Sequence, residues 1–198
     1  MALPADADDL EAIRRVLAGD KDAFRLLVDK YGPSLFNLAY RMTGRTADAE
    51  DLAQDAFLQA YARLADFRVG SRFHPWLYTI ALNLCRNHLR RKAVLKWVPL
   101  SSPRPDEDRP PIEFPGTTLG PEEALLDAEA EARLQSAIEG LPLPYREVFL
   151  LRQAQELTYE EIAEVTGLSR GTVEVRLFRA RQKLVAALGT TARRPKVK

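Results

Sequence analysis

Apolar positions recur at helical spacing along most of the 198-residue chain. The residues before Leu10 (1–8) are expected to be disordered. Leu10, Ile13, Val16 and Leu17 then form a first series that stops at Gly19. Asp20 is placed to cap a second helix carrying Ala23, Phe24, Leu27 and Val28. Tyr31-Gly32-Pro33 is expected to break or bend that helix before Leu35, Leu38, Ala39 and Met42 resume the pattern. From Thr46 to Leu64, the residues Ala49, Leu52, Ala53, Ala56, Phe57, Ala60 and Tyr61 make a broad inner face. Pro75 suits the start of another helix, whose apolar set runs from Trp76 and Leu77 through Ile80, Leu84 and Cys85 to Leu89. Nothing alternates with period two, so no strand is predicted.

The pattern stops where prolines crowd together at Pro99, Pro103, Pro105, Pro110, Pro111, Pro115 and Pro121. That density predicts an extended linker over 93–120. Helical spacing returns with Leu125, Leu126, Leu134 and Ile138, then with Val148, Phe149 and Leu151 after the turn Leu141–Pro144. Thr158-Tyr159-Glu160-Glu161 has the form of a capping box. Gly167 marks a tight turn, and Ser169 caps a last helix holding Val173, Leu177, Ala180 and Leu184. The expected fold is all-α: two small helical domains, 9–92 and 121–188, a Pro-rich linker between them and a basic tail at 189–198.

Charge changes this picture more than composition does. Net charge is only +1, yet no Asp or Glu occurs between Phe67 and Pro105. Arg68, Arg72, Arg86, Arg90, Arg91, Lys92, Lys96 and Arg104 lie there, among Phe67, Phe73, Trp76, Tyr78 and Trp97. Cations grip phosphates and flat rings stack on bases, so the stretch suits a nucleic-acid strand. Residues 158–184 have the spacing of a helix-turn-helix, whose second helix exposes Arg170, Thr172, Glu174, Val175, Arg176 and Arg179 toward a major groove. On the Thr46–Leu64 helix, Asp48, Asp51 and Asp55 share one face with Glu50 and Gln54 alongside, which suits a basic protein partner rather than DNA. His74 and His88, the only histidines, show neither metal spacing nor a nucleophile–base arrangement, so no metal, cofactor or catalytic role is expected. One cysteine, no apolar secretory segment and no membrane-length apolar run point to the cytoplasm and to no membrane insertion.

Three ordered stretches carry a family resemblance. Ala49-Glu50-Asp51-Leu52-Ala53-Gln54-Asp55-Ala56-Phe57 resembles the core-binding helix of bacterial RNA polymerase sigma factors. Phe73-His74-Pro75-Trp76-Leu77-Tyr78-Thr79-Ile80-Ala81-Leu82-Asn83 resembles their promoter-melting segment. Leu141-Pro142, Tyr145–Phe149 and Ser169–Val173 resemble the promoter-reading domain. Two domains joined by a linker resemble the extracytoplasmic-function (group IV) branch.

The resemblance implies an initiation factor for core RNA polymerase, with an anti-sigma factor as a further partner. Asp48, Asp51, Gln54 and Asp55 would grip the β′ coiled coil, and the β subunit would be contacted too. Phe67, Arg68, Arg72, Phe73, Asn83, Arg86, Asn87, Arg90 and Arg91 would hold and open the −10 element, single-stranded once melted. Ser169, Arg170, Thr172, Val175, Arg176 and Arg179 would read the −35 duplex. In the linker, Asp106–Asp108 would imitate nucleic acid until nascent RNA displaces them. His74-Pro75 and Glu174 depart from the family pattern. The competing reading is a self-sufficient helix-turn-helix regulator, which has no need of the acidic helix or the melting segment.

Overall fold

The computed structural model describes residues 7–68, 70–95, 121–153, 155 and 157–191. Most of the linker, with Asp106–Asp108, lies outside the described residues. Eight α-helices are present among those described: α1 Ala7–Leu17, α2 Phe24–Thr43, α3 Thr46–Ala62, α4 Phe73–Leu95, α5 Pro121–Glu139, α6 Leu143–Gln153, α7 Tyr159–Thr166 and α8 Arg170–Thr191. Short 3-10 turns occupy Lys21–Ala23 and Leu64–Asp66, and no strand forms among the described residues.

The first four helices enclose Ile13, Leu27, Leu35, Leu38, Met42, Leu77 and Leu82, each fully or almost fully buried. Burial of a side chain of this size contributes ~1.5–3 kcal/mol. The last four close over Ile138, Val148, Leu150, Leu151, Ile162, Val173 and Leu177. Asp9, though buried, has two partners from α2: its carboxylate takes a bond from the Tyr31 hydroxyl and another from Lys30 Nζ at 2.7 Å. A buried carboxylate of this kind is tolerable only because both partners stand beside it.

The break expected at Pro33 and the cap expected from Asp20 do not form, each for a physical reason. Helix α2 runs unbroken through Pro33. The proline lies on an exposed side, where water can take the carbonyl it frees, while Leu27, Tyr31, Leu35, Leu38 and Met42 keep one continuous buried stripe. Packing of that stripe outweighs the lost helical bond. Asp20 makes no side-chain cap. Its carboxylate instead accepts from Arg15 Nε at 3.0 Å and Nη2 at 2.7 Å, and these hydrogen bonds hold its carboxyl below the usual range.

His74 stacks on Tyr31, with centroids 5.5 Å apart, and meets Tyr78 edge-on at 4.5 Å. Burial, helped by the charges of Arg72 and Lys30, lowers its pKa to about 4. The folded chain therefore stays neutral here while the unfolded chain takes up a proton below ~6.5. Stability should fall as pH drops from ~6.5 toward 4, by an amount on the order of 1–3 kcal/mol. Urea unfolding of wild type and His74→Gln at pH 7 and pH 5 checks this; the variant should lose the smaller share on acidification.

The two halves pack on one another. Arg86 of α4 grips Glu147 of α6 through Nε–Oε1 at 2.7 Å and Nη2–Oε2 at 2.8 Å. Arg72 pairs with Glu161, and Arg41 with Glu131. The Tyr78 hydroxyl meets the Gln155 side chain, whose Nε2 donates to the Ser34 carbonyl at 3.1 Å. Arg146 reaches back to the Met42 carbonyl at 2.7 Å, so the end of α2 is tied to the second half.

Candidate nucleic-acid interface

Three surfaces carry the residues singled out by sequence. On α3, Asp51, Gln54 and Asp55 are exposed, with Glu50 beside them. Their spacing of three and four residues makes them one row. Asp48 stands apart from that row. Its carboxylate receives Lys92 Nζ, with His88 Nε2 at 3.3 Å and Arg45 Nε at 3.8 Å. Burial opposes its ionisation, but Lys92, His88 and Arg45 outweigh that and hold the carboxyl below the usual range. Asp48 is thus engaged in tying α3 to α4, and that use was invisible in the i, i+3 pattern.

The second surface is α4 with the loop before it. Asn83, Asn87, Arg90 and Arg91 are exposed, and Arg86 is half-buried among them. Asn83 Oδ1 accepts from Arg86 Nη1 at 3.3 Å, and Asn87 accepts from Arg90, so amides and guanidinium groups form a ladder along one face. Arg68 is exposed on the loop.

Phe67 and Phe73 require a correction. Assigned to the DNA-contacting loop by sequence, they are only 5% and 2% exposed. Their rings meet edge-on at 5.9 Å, and both pack on the half-buried Trp76, at 5.4 and 5.6 Å. Burying three large rings together is worth more than leaving them wet for a base. They brace the loop from beneath. Cys85 is also core, its thiol pushed up to about 12 by burial.

The third surface is the helix-turn-helix. The capping box of α7 is complete: Glu161 N donates to Thr158 Oγ1 at 3.2 Å, and Thr158 N to Glu161 Oε2 at 2.8 Å. Gly167 closes α7 with φ 70°, a left-handed conformation that suits glycine. Ser169 Oγ then accepts from Thr172 N at 3.3 Å, starting α8.

Along α8 the side chains of Ser169, Thr172, Val175, Arg176, Arg179 and Lys183 line a groove closed on its other side by Pro142, Pro144 and Tyr145. Arg170 is not part of that lining. It is held by Glu160 at 2.7 Å and Glu174 at 3.0 Å, two anions on one cation.

Tyr145 and Lys183 were missed by the sequence reading. Arg179 Nη1 lies 3.5 Å from the Tyr145 hydroxyl. That contact, with the charges of Arg179, Lys183 and Arg176, lowers the Tyr145 pKa despite the opposing effect of desolvation. Such a hydroxyl in a ring of cations is poised for an anion. The signal was present only as a tyrosine where α6 begins, 38 residues from Lys183, which no local pattern joins.

Among the described residues, no cluster of His, Cys, Asp or Glu is arranged to hold a metal, and no helix is long and apolar enough to cross a membrane.

An all-helical chain with an acidic row, a basic helix and a helix-turn-helix in that order has the makings of a protein that joins a partner to DNA. Known proteins give that class its family. The Sigma-70 region 2 model matches residues 27–94, and the Sigma-70, region 4 model matches residues 131–184. The RNA polymerase sigma-H factor of Pseudomonas aeruginosa is 39% identical over 183 residues, 91% of this chain and 93% of that protein. The ECF RNA polymerase sigma factor SigW of Bacillus subtilis is 34% identical over 172 residues, 87% of this chain and 92% of its own. Among solved structures, the sigma factor RpoE in complex with the anti-sigma factor NepR from Bartonella quintana superposes with TM-score 0.66 at 25% identity, covering 84% of this chain and 96% of that one. The chain belongs to the extracytoplasmic-function branch of the sigma-70 family.

Proposed function

We propose that this chain is a transcription initiation factor that binds core RNA polymerase and directs it to particular promoters. The observation that carries it is the matching of both sigma regions, in order, to the two packed halves that bear the acidic row and the helix-turn-helix. Asp51, Gln54 and Asp55 dock on a basic surface of polymerase, the β′ coiled coil, and Asp48 holds their helix against α4. Arg68, Arg72, Asn83, Arg86, Asn87, Arg90 and Arg91 follow the −10 element as it opens. Ser169, Thr172, Val175, Arg176 and Arg179 read the −35 element. Arg170, paired at the surface with Glu160 and Glu174, orients the start of α8 and stays exposed beside the −35 element. The work is binding rather than catalysis, done in the cytoplasm, and an anti-sigma factor is a fitting partner given the RpoE–NepR likeness.

Run-off transcription with purified core polymerase and a promoter library is the test. Initiation at a defined subset supports the reading. No initiation, together with an operator footprint by the chain alone, overturns it in favour of a self-sufficient regulator.

Tyr145 and Lys183 belong to the −35 face in this reading, gripping one backbone phosphate with Arg179. Tyr145→Phe should weaken −35 duplex binding by polymerase holoenzyme roughly 3- to 10-fold for every sequence, the net worth of one lost hydrogen bond. The slope against salt should not change, because a hydroxyl displaces no counterion. Lys183→Ala should flatten that slope by ~0.9. Titrations at several salt concentrations check both.

A further inference from the structure

We propose that Val175 reads a thymine in the −35 element through its 5-methyl group, so that this chain selects promoters with a T·A pair at one fixed place on that duplex. This rests on the reading of α8 as the helix that enters the major groove.

Val175 is not part of the core. The buried stripe of α8 is Val173, Leu177, Ala180 and Leu184, while Val175 is 51% exposed. Helix formation does not call for it either, since a β-branched residue is a poorer helix former than alanine or lysine. Its side chain lines the groove that Thr172, Arg176 and Arg179 share with Pro142, Pro144 and Tyr145.

Position along α8 divides the work. Ser169, Thr172, Val175 and Arg176 fall at its start, the part of such a helix that reaches base edges. Arg179 and Lys183 come later, with Tyr145 beside Arg179, where a backbone phosphate is held. At the reading positions, the two hydroxyls can donate or accept and so tolerate many base edges, and the Arg176 guanidinium calls for an acceptor. Val175 offers nothing polar. The acid next to it is already engaged: Glu174 accepts from Arg170 Nε at 3.0 Å, and none of the residues lining the groove is a carboxylate.

The major groove has one apolar group to match. Thymine carries a 5-methyl there, whereas cytosine presents an amino donor, adenine a donor with an acceptor, and guanine two acceptors. Against valine those polar edges lose water without gaining a hydrogen bond, while a methyl gains by leaving water. Valine in a helix keeps one strongly preferred rotamer, so little freedom is lost on contact.

Duplexes for the test come from a promoter that run-off selection shows the holoenzyme to use. Each −35 thymine, on either strand, is replaced singly by deoxyuridine, which removes the methyl and leaves every hydrogen-bonding group. Competition binding should find one position at which wild-type holoenzyme loses about fourfold in affinity, the worth of one methyl group taken out of water. Holoenzyme carrying Val175→Ala should bind the thymine and uracil duplexes of that position equally. With the pair there changed to C·G, 5-methylcytosine should bind wild type about fourfold better than cytosine, because its methyl occupies the same place in the groove. Phe178→Ala alters the next exposed apolar side chain along α8 and should keep the fourfold preference for thymine. Circular dichroism melts of both variants should match wild type, since both side chains lie outside the core.

Uracil tolerated by wild type at every position, a −35 element without thymine, or a methyl preference that survives Val175→Ala overturns the proposal. So does a preference that Phe178→Ala abolishes. If no promoter is used, the initiation reading fails by itself. The duplex that the full-length chain footprints alone then takes the same methyl scan, and the same comparisons decide Val175.

Discussion

Reversing both charges in Asp51→Lys/Asp55→Lys is expected to weaken binding to core RNA polymerase at least ~100-fold while leaving the fold intact. The two carboxylates are exposed on α3, and its buried face is made by Ala49, Leu52, Ala56, Phe57 and Ala60. The substitutions therefore touch solvent on one side only. Close charge pairs across an interface couple by ~1.5–7 kcal/mol, and like charges repel, so two reversals comfortably exceed the ~2.8 kcal/mol that a hundredfold loss requires. Association should slow as well, because steering by the acidic row is reversed. Fluorescence anisotropy with labelled chain and purified core polymerase measures both. A change under threefold, with an unaltered melting curve, would move the docking surface off α3. Asp48→Ala makes the informative contrast. It should lower the melting temperature by removing the counter-charge of Lys92 and Arg45, with a smaller effect on affinity.

Arg176→Ala should cost the −35 interaction ~1–3 kcal/mol, which is roughly 5- to 150-fold in affinity. Arg176 is half-buried on the groove wall between Thr172 and Arg179, so its side chain has less freedom to lose than that of the exposed Arg179. Confinement is what makes a base contact discriminating, since less side-chain freedom is lost when the bond forms. The loss should fall mainly on one base-pair position. Holoenzyme binding to a set of −35 duplexes, each changed at one base pair, separates the cases: a loss equal across the set would make Arg176 a phosphate contact.

How much was legible beforehand depended on how local the cause was. The α7–α8 unit was readable because its determinants sit within a few residues: a Thr–Glu box, one left-handed glycine and a serine cap, all observed. Helix periodicity likewise found the core, including Cys85. Pro33 misled because a local breaker was outweighed by the distant surfaces against which α2 packs. Phe67 and Phe73 misled because a ring near cations looks the same in sequence whether it is to meet a base or a tryptophan. The pairing of Arg86 with Glu147 joins positions 61 apart, and periodicity has no term for that. Asp48 fell into the same gap: its spacing placed it with Asp51 and Asp55, while Lys92, 44 residues on, claimed it.

Cys85 is the chain's single cysteine and lies in the core of the first domain. Burial pushes its thiol pKa up to about 12, so the thiol stays protonated at neutral pH. A thiol that is neither ionised nor accessible cannot serve as a sulfenylation or disulfide-exchange centre. An oxidant that changes what this factor transcribes through thiol chemistry must therefore be sensed by another molecule, and its message must arrive as a change in binding.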